Sequence, residues 1–253
     1  MPITIYVLSY NEIHKMQFMI DHYKTRFPEC KIVVYDNGSD DGSPEVARQN
    51  GCAVINYTHL SGNTLNDGLH ARMKSSIWKE ATTDWVIVSD LDELIDLTEE
   101  ELKQEEITGT TILKTEAYTL VNMGNDYDLG AMKHGLRDGG YDKKVCFNKK
   151  FISDINFSVG CHSANPIGTV KFSDKTYIIH HYRDLNEDHV VKKSQATARR
   201  MSADNKRYGW GIQCMRSEDE LRKDYHRQQS IAVLIPARRS NEEILESRKQ
   251  KEN

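Results

Sequence analysis

The chain has 253 residues with a formal net charge of −4, and 28% of its residues are charged against 38% hydrophobic. The mean hydropathy of −0.66 and the lack of any apolar run near the roughly 18 residues of a membrane span predict a soluble, non-membrane protein. The chain opens directly into a predicted strand, without the basic and apolar segments of a secretion signal, so we expect a cytoplasmic location. The five cysteines are scattered and form no C-x-x-C pair, which argues against a disulfide framework or a zinc site.

Charge is distributed unevenly along the chain. Residues 190–253 hold 15 Lys and Arg against 9 Asp and Glu, whereas residues 1–189 carry a net charge of −10. A basic carboxyl-terminal region can meet an anionic partner such as a membrane surface, a nucleic acid or a glycan. Alternatively, it is a solvated helical face of mixed charge.

Strands and helices alternate over the first 97 residues. Apolar runs at Ile3–Leu8, Lys31–Tyr35 and Trp85–Val88 predict buried strands, and each run is followed by a polar cluster. Between the first two runs, apolar residues recur at helical spacing from Ile13 to Phe27. Ser43-Pro44-Glu45 is typical of a helix start. This alternation predicts an α/β fold with a doubly wound, mostly parallel sheet flanked by helices.

Later elements are shorter and less regular. We predict a main domain at 1–185, with two halves that divide after residue 97, then a helical appendage at 186–240 and a flexible tail at 241–253. Thr98 and Glu101 form a capping box, whereas Tyr118–Tyr141 is rich in glycine and is expected to be an irregular functional loop. The other predicted elements are strands at 110–113, 144–147 and 176–180 and a helix at 187–206.

Two carboxylates close the third strand of the first half. Asp90 and Asp92 are two residues apart, so in an extended chain their side chains point the same way. Acids at the carboxyl end of a parallel strand lie where open α/β sheets bind ligands. Hard oxygen ligands of this kind suit Mg²⁺ or Mn²⁺, and these ions usually bind together with phosphates. The alternative is a solvated acidic turn with Glu93 at the start of the next element.

The cluster after the first strand contains an aromatic side chain. Tyr10, in Ser9-Tyr10-Asn11-Glu12, can lie against a nucleobase. Alternatively, Ser9 and Glu12 form the capping box of the following helix.

The cluster after the second strand contains a tight turn. Asn37-Gly38 supplies positive φ. Asp36, just before it, can accept a hydrogen bond from a uracil N3–H or a ribose hydroxyl, or it can serve only as the first residue of the turn.

The three strand-end sequences together resemble the GT-A glycosyltransferases, and more narrowly the family 2-like branch whose metal motif is D-x-D-E. They are Leu8-Ser9-Tyr10-Asn11-Glu12, Val34-Tyr35-Asp36-Asn37-Gly38-Ser39-Asp40-Asp41-Gly42-Ser43 and Val88-Ser89-Asp90-Leu91-Asp92-Glu93-Leu94. The resemblance covers residues 1 to about 97 and is weaker at Ile179–Arg183, which is similar to a late histidine segment of the family. It implies that residues 1–97 are the nucleotide-sugar-binding half of the domain and residues 98–185 the acceptor half.

The resemblance implies a UDP-sugar donor and a Mn²⁺ or Mg²⁺ cofactor. The residues implied in nucleotide-sugar binding are Ser9, Tyr10, Asn11, Glu12, Asp36, Asn37, Gly38, Arg72, Asp90 and Leu91. Arg72, or alternatively His70, would approach the diphosphate, and Lys192 and Lys193 are further candidates for it or are merely solvated.

The implied metal ligands begin with Asp92 as the direct ligand, while Asp90 contacts the ribose or a metal-bound water. One of His180 and His181 would be a third ligand, since neighbouring residues on a strand face opposite ways. His162 is the rival histidine, or a contact of the acceptor.

An inverting transfer also needs a carboxylate base. The acids of the glycine-rich segment and its border are Asp126, Asp128, Asp138 and Asp142. We expect Asp142 first and Asp138 second, because Asp142 is best anchored by the following strand, with Glu116 as a third candidate. Alternatively, these acids only form turns.

These observations predict a metal-dependent glycosyltransferase that moves a sugar from a UDP-sugar to a hydroxyl acceptor with inversion. Two alternatives remain. A sugar-1-phosphate nucleotidyltransferase has a related sheet but usually carries a glycine- and basic-rich loop after the first strand, which this chain lacks. A non-catalytic module could keep the fold and bind a glycan or nucleic acid, although the intact acids argue against it.

Overall fold

The computed structural model describes residues 1–124, 128–236 and 238–252. One large mixed sheet organises this part of the chain, with helices on both of its faces. The predicted mostly parallel sheet flanked by helices is therefore confirmed. None of the described helices is long and apolar enough to cross a membrane.

The strands are short, apart from two of ten residues in the second half. In chain order they are β1 (Ile3–Ser9), β2 (Lys31–Asp36), β3 (Ala53–Asn56), β4 (Trp85–Asp90), β5 (Glu93–Ile95), β6 (Ile112–Val121), β7 (His134–Arg137), β8 (Cys146–Asn148), β9 (Ile152–Asp154), β10 (Ile167–Gly168), β11 (Phe172–His181) and β12 (Val233–Leu234).

The order of the strands brings the polar clusters of the first half together. Along the large sheet the order is β12-β7-β6-β8-β4-β1-β2-β3, with β11 beside β6 and β5 beside β11. Strands β4, β1, β2 and β3 are parallel, and in this register Ser9 lies beside Asp36 while Leu8 lies beside Asp90. Because the three strands end level with one another, the residues that follow them share one edge of the sheet.

The helices cover the sheet, and the last four of them come after β11, toward the carboxyl-terminal end of the chain. In chain order they are α1 (Ile13–Arg26), α2 (Ser43–Gln49), α3 (Thr58–Ser61), α4 (Asp67–Ser76), α5 (Glu99–Ile107), α6 (Glu187–Arg200), α7 (Ala203–Tyr208), α8 (Glu218–Ile231) and α9 (Asn241–Glu252).

Both faces of β1 are buried, which is why its sequence is apolar throughout. Ile5 and Val7 join the core that includes Met16 and Ile20 of α1. On the other face, Tyr6 belongs to the cluster in which Trp78 and Phe147 pack edge to face, with ring centroids 5.0 Å apart. A strand that is anchored on both faces holds its terminal residues in fixed positions.

The second half is more regular than its sequence indicates. β6 continues to Val121 and β7 pairs with it, so much of the segment expected to be irregular is antiparallel sheet. Partners distant in sequence stabilise these strands, and the glycines of the segment concealed their pattern.

The helix predicted at 187–206 is interrupted at Met201. There the chain leaves helical geometry, with φ −54° and ψ 126°, and Met201 forms a bridge with Leu65. Ser202 then caps α7 by accepting from the amide of Asn205. Pairing with the loop before α4 thus overrides helical propensity, and it brings α6 to the edge of the sheet that carries the polar clusters.

The segment from residue 241, expected to be a flexible tail, forms helix α9. Arg248 donates to the carbonyl oxygens of Thr25 and Arg26 at 2.6 and 2.7 Å, and Ile244 is buried. These contacts join α9 to the end of α1, which a local sequence pattern does not show.

Candidate active site

A cavity of about 760 Å³ lies at the carboxyl ends of β1 and β4, a volume typical of small-molecule sites. Its walls come from both halves of the chain. Its lining residues include Ser9, Tyr10, Asn11, Glu12, Asn37, Asp67, His70, Lys74, Asp90, Leu91, Asp92, Glu93, Tyr141, Lys143, His162, His181, Lys192, Lys193, Arg200, Trp210 and Gln213.

Asp90, at the end of β4, is paired with two lysines. Its Oδ1 lies 2.6 Å from Nζ of Lys74 on α4, and its Oδ2 lies 3.2 Å from Nζ of Lys143 before β8. Both lysine side chains are only 3% exposed. Lys143 also donates to Glu93, at 2.5 Å.

Asp92 is paired with two other lysines. Nζ of Lys193 on α6 lies 2.9 Å from Oδ2 of Asp92, and Nζ of Lys15 on α1 lies 3.5 Å from the same oxygen. Both lysines also contact Glu12, at 2.9 and 2.8 Å. Glu12, Lys15, Lys74, Asp90, Asp92, Glu93, Lys143 and Lys193 form what we call the lysine–carboxylate cluster.

The lysines hold the two aspartates ionised. Burial by itself would raise the pKa of Asp90, but Lys74 and Lys143 hold it well below its usual range. Burial would also raise the pKa of Asp92, but the charges of Lys193 and Lys15 outweigh it and lower that pKa.

Glu93 behaves differently from the two aspartates. Burial raises the pKa of Glu93 to about 7. The charge of Lys143 opposes this rise only partly, and the charge of Asp90 adds to it. Its side chain is 1% exposed, and its Oε2 has no hydrogen-bond partner among the described residues.

The side chains present do not fit the divalent cation that the family resemblance implies. Across residues 1–124, 128–236 and 238–252, no group of three or more His, Cys, Asp and Glu side chains is arranged to hold a metal ion. The oxygens of Asp90 and Asp92 that would face a cation face ammonium groups instead. A metal ion there would have to displace lysines of which three are only 2–3% exposed and which, among the described residues, pair with no carboxylate outside the cluster.

The two adjacent histidines of β11 face opposite ways. His181 lines the cavity, with its Nε2 3.9 Å from Oδ1 of Asp92 and its ring tilted against Tyr141 at 4.4 Å. Burial lowers the pKa of His181 to about 3, so its imidazole is neutral. His180 lies on the other face of the sheet, where its Nε2 is 3.2 Å from the carbonyl oxygen of Pro236. His180 is therefore outside the cavity and cannot serve the metal role predicted for either histidine.

The predicted base-stacking residue already has an aromatic partner. The guanidinium carbon of Arg200 on α6 lies 3.1 Å from the ring centroid of Tyr10. Arg200 also donates to the backbone oxygen of Asn63, at 3.1 Å. One face of the Tyr10 ring is thus covered by a planar cation that lines the same cavity.

Asp36 is used by its own turn. Its carboxylate accepts from the amide of Gly38 at 2.9 Å and from the hydroxyl and amide of Ser39. Asn37 faces the cavity, although its side chain also bonds the carbonyl oxygen of Thr64 and the hydroxyl of Ser61. Asp36 and Gly38 are not among the lining residues, so the turn interpretation accounts for their contacts and the predicted nucleotide contacts stay a prediction.

The other predicted residues after β1 and β4 do line the cavity. Ser9 is the last residue of β1, and its buried hydroxyl has no partner among the described residues. It does not cap α1, since the amide of Ile13 donates to Asp41 instead. Asn11 exchanges side-chain and backbone hydrogen bonds with Asp40, and buried Leu91 closes the cavity floor beside Asp90.

On α4, His70 and Lys74 line the cavity, and Arg72 does not. Arg72 is exposed and outside the lining, whereas Asp67, His70 and Lys74 recur at spacings of three and four and share one helical face. Sequence reasoning missed Lys74 because the start of α4 was not fixed. The Asn66 side chain caps that start by accepting from the amide of Leu69.

None of the described acids predicted to be the base lines the cavity. Asp142 accepts from the amide of Ala117 and pairs with Arg137 at 2.6 Å. Asp138 accepts from the amide of Gly140. The two remaining described candidates are also used locally: Glu116 pairs with Arg137, and Asp128 caps a short turn. Asp126 lies outside the described residues.

Asp67 is a carboxylate of the cavity that sequence analysis missed. Its Oδ2 accepts from Nδ2 of Asn205 on α7 at 3.0 Å, and its Oδ1 has no hydrogen-bond partner among the described residues. Burial raises the pKa of Asp67, with the charge of Asp90 acting in the same direction. Trp210 and Gln213, from the turn after α7, also line the cavity.

Comparison with known proteins decides the family. Residues 4–99 match the model of a family described as Glycosyl transferase family 2. The chain therefore contains a segment similar to glycosyltransferase family 2. This segment runs from β1 into α5 and contains all three strand-end motifs, so the family predicted from those motifs is confirmed.

Solved structures give more remote likenesses. A structure of TarS residues 1–349 from S. aureus is 14% identical, with 90% of this chain and 71% of that chain covered and a TM-score of 0.46. The complex of the same protein with UDP is 17% identical over 99% of this chain and 92% of that chain, with a TM-score of 0.44. Glucosyl-3-phosphoglycerate synthase from Mycobacterium tuberculosis, in complex with Mn²⁺, UDP and glucosyl-3-phosphoglycerate, is 17% identical over 46% and 44% of the two chains, with a TM-score of 0.32. No curated protein matches the chain.

Proposed function

We propose that this protein is a glycosyltransferase that moves a sugar from a UDP-sugar to a hydroxyl acceptor in the cavity at the ends of β1 and β4. The observation that carries the proposal is the coincidence of two features. The family 2 match covers residues 4–99, and the strand ends within that segment form one side of the cavity of about 760 Å³. Open α/β sheets bind their ligands at this edge.

The donor's base lies beside Tyr10 and Arg200 in this proposal. Both side chains are planar and line the cavity, and the guanidinium is held by the backbone oxygen of Asn63. A planar cation and an aromatic ring both stack favourably on nucleobases. The donor's diphosphate then lies toward Asp90 and the lysines around it.

The acceptor binds on the opposite side, between Trp210 and Asp67. An indole presents an apolar face against which a sugar ring can pack, while Gln213 and Asp67 offer hydrogen bonds to hydroxyl groups. Oδ1 of Asp67 is available to accept a proton, and a base with a raised pKa accepts it more readily.

The reaction is a direct displacement with inversion. The acceptor oxygen attacks the anomeric carbon of the donor sugar and transfers its proton to Asp67. The bond between that carbon and the diphosphate oxygen breaks, and its electron pair leaves on the diphosphate. Stabilisation of this developing charge is commonly the largest catalytic contribution.

The first experiment is a turnover screen with the full chain. UDP-sugars, and matched sugars carrying other nucleoside diphosphates, are each incubated with the protein, and nucleoside diphosphate release is measured. We expect release from at least one UDP-sugar and stabilisation of the protein by that donor, at about 2.7 kcal/mol when the donor is at 100 times its Kd. Absence of both release and stabilisation across the panel would contradict the proposed function.

A further inference from the structure

We propose that lysines replace the divalent cation in this active site, with Lys74 and Lys143 meeting the diphosphate of the donor. This inference rests on the proposed function for the identity of the ligand. It rests on the lysine–carboxylate cluster for its chemistry.

The positive charges of the lysines in the cluster match or exceed the negative charges of its carboxylates without a metal ion. Glu12, Asp90, Asp92 and Glu93 face four ammonium groups, and each lysine lies within 3.5 Å of a carboxylate oxygen. Carboxylates that bind a divalent ion bring negative charge to it, and here four ammonium groups face at most four negative charges, since the pKa of Glu93 is raised to about 7. A further two positive charges would meet four cations at short range.

Three of the four lysines are buried in the protein interior. Lys15, Lys74 and Lys143 are 2–3% exposed, and they come from α1, α4 and the segment before β8. An ammonium removed from water is unfavourable unless it is paired and hydrogen-bonded. Three such positions on separate elements converge on two aspartates, so the fold places positive charge where the family motif implies a metal ion.

The four lysines divide into two functional pairs. Lys15 and Lys193 each lie within 3.5 Å of an oxygen of Glu12, of Asp92 and of the Arg183 carbonyl, so each ammonium has as many oxygen neighbours as it has donors. Lys15 and Lys193 therefore neutralise Asp92 and hold the residues between β4 and β5 in position.

Lys74 and Lys143 retain unused donors. Among the described residues, Lys74 hydrogen-bonds only to Asp90, and Lys143 bonds to Asp90 and Glu93. An ammonium has three donors, so two remain on Lys74, and the one that remains on Lys143 has the ring of Tyr141 as a neighbour, with 4.8 Å between Nζ and the ring centroid. Asp90 is 34% exposed on the cavity side, which puts these free donors at its open edge.

Free ammonium donors can perform the charge stabilisation that the transfer needs. As the bond to the anomeric carbon breaks, negative charge grows on the departing diphosphate oxygens. Donors held in advance by Asp90 and Glu93 can meet those oxygens with charge-assisted hydrogen bonds and little reorganisation. Asp90 is a positioning residue in this scheme, because it orients Lys74 and Lys143 and binds no metal.

The first test uses the metal alone. The purified protein is titrated with MnCl₂, and binding is followed by calorimetry and by the electron paramagnetic resonance signal of free Mn²⁺. We expect no saturable binding up to millimolar Mn²⁺. Saturable binding of Mn²⁺ to the wild-type protein would overturn the proposal without reference to any nucleotide.

The second test measures UDP affinity in EDTA and in MnCl₂. We expect the same affinity in both buffers for the wild type. Lys74→Met keeps the aliphatic volume but removes the ammonium, and it should weaken UDP binding in EDTA about 10- to 100-fold. The matched control is Lys79→Met, since Lys79 pairs with Asp154 outside the cavity and is 43% exposed; its UDP affinity should equal that of the wild type.

The outcomes separate this proposal from the proposed function. UDP binding that disappears in EDTA overturns the role of the lysines and leaves the glycosyltransferase intact. Failure of any nucleotide to bind in either buffer contradicts the glycosyltransferase itself. The wild-type measurements decide the proposal even when Lys74→Met fails to fold, and wild-type UDP affinity in a folded Lys74→Met would also overturn it.

Discussion

Nζ of Lys74 lies 2.6 Å from Oδ1 of Asp90, although Lys74 is on α4 and Asp90 ends β4. This contact changes the meaning of the D-x-D-E motif in this chain. In the motif by itself, the first aspartate is a candidate ligand or neighbour of a metal ion. In the folded protein, the same aspartate pairs with the ammonium of Lys74, and both side chains line the cavity.

Asp92→Asn should destabilise the protein, because it removes the shared partner of two lysines. Lys15 is 2% exposed and would keep only Glu12 as a charged partner. Loss of one partner from a buried ion pair costs about 3 kcal/mol. Urea unfolding of wild type and Asp92→Asn at pH 7 measures this loss.

Adding Lys15→Met to Asp92→Asn should restore part of that stability, since the unpaired charge is removed together with its partner. Equal unfolding free energies for the wild type and Asp92→Asn would mean that the pairing of Asp92 with the lysines contributes nothing to the fold.

Tyr10→Ala and Arg200→Ala should each weaken UDP binding, because both planar groups flank the proposed base site. Loss of one stacking partner costs on the order of 1–3 kcal/mol in binding free energy. Calorimetry with UDP measures the change. Tyr118→Ala is the matched control, since Tyr118 pairs with Arg137 at 5.8 Å outside the cavity. Unchanged affinity in both cavity variants would remove the base from this position.

The parallel half of the fold could be predicted because its signals are local. Buried strands such as β1 are apolar on both faces, and each ends in a polar cluster that marks the carboxyl edge of the sheet. The capping box at Thr98 and Glu101 is likewise local, and the structure contains it. These features need no information about distant parts of the chain.

The composition of the site was less predictable because its partners are distant in sequence. Lys193 lies 101 residues from Asp92, and Lys143 lies 53 residues from Asp90. Lys193 resembled any solvated helical lysine, and nothing near Lys143 marked it as buried. Asp142 was preferred as a base for its nearness to a strand, yet it turns away to Arg137. Side-chain direction and long-range packing decide which residues enter the site, and neither can be predicted from the local pattern of a single sequence.

Acidification should destabilise the protein through His22. This histidine is fully buried, and its Nε2 is 2.9 Å from the carbonyl oxygen of Ile95. Burial, reinforced by the charges of Arg26 and Arg238, lowers the pKa of His22 well below its ordinary 6.5. The unfolded chain therefore binds a proton that the folded chain does not, so the stability from neutral His22 is complete above pH 6.5 and is lost as the pH falls below it.

The effect is limited to about 1.4 kcal/mol per pH unit for one such group. Urea unfolding at pH 7 and pH 5 measures it, and His22→Gln should reduce the difference between the two pH values because glutamine does not titrate. His59→Gln, at an exposed position on α3, should leave the difference as in the wild type. A pH dependence in His22→Gln identical to that of the wild type would assign the acid sensitivity to other groups.

Asp67→Asn should slow sugar transfer while nucleotide affinity stays near that of the wild type. Asparagine can keep the contact with Asn205 but cannot accept the acceptor's proton, and loss of a general base reduces the rate by about 10²–10⁴-fold. Because burial raises the pKa of Asp67, the wild-type rate should fall as acidification protonates this carboxylate, and the variant should lack that fall. Asp138→Asn and Asp142→Asn serve as matched controls, since both acids lie outside the cavity lining and are held by local contacts.

The test of the base measures the transfer rate at saturating donor together with UDP affinity for all three variants. A normal rate in Asp67→Asn with a slow rate in Asp142→Asn would return the base to the segment before β8 and would require that segment to rearrange when the acceptor binds.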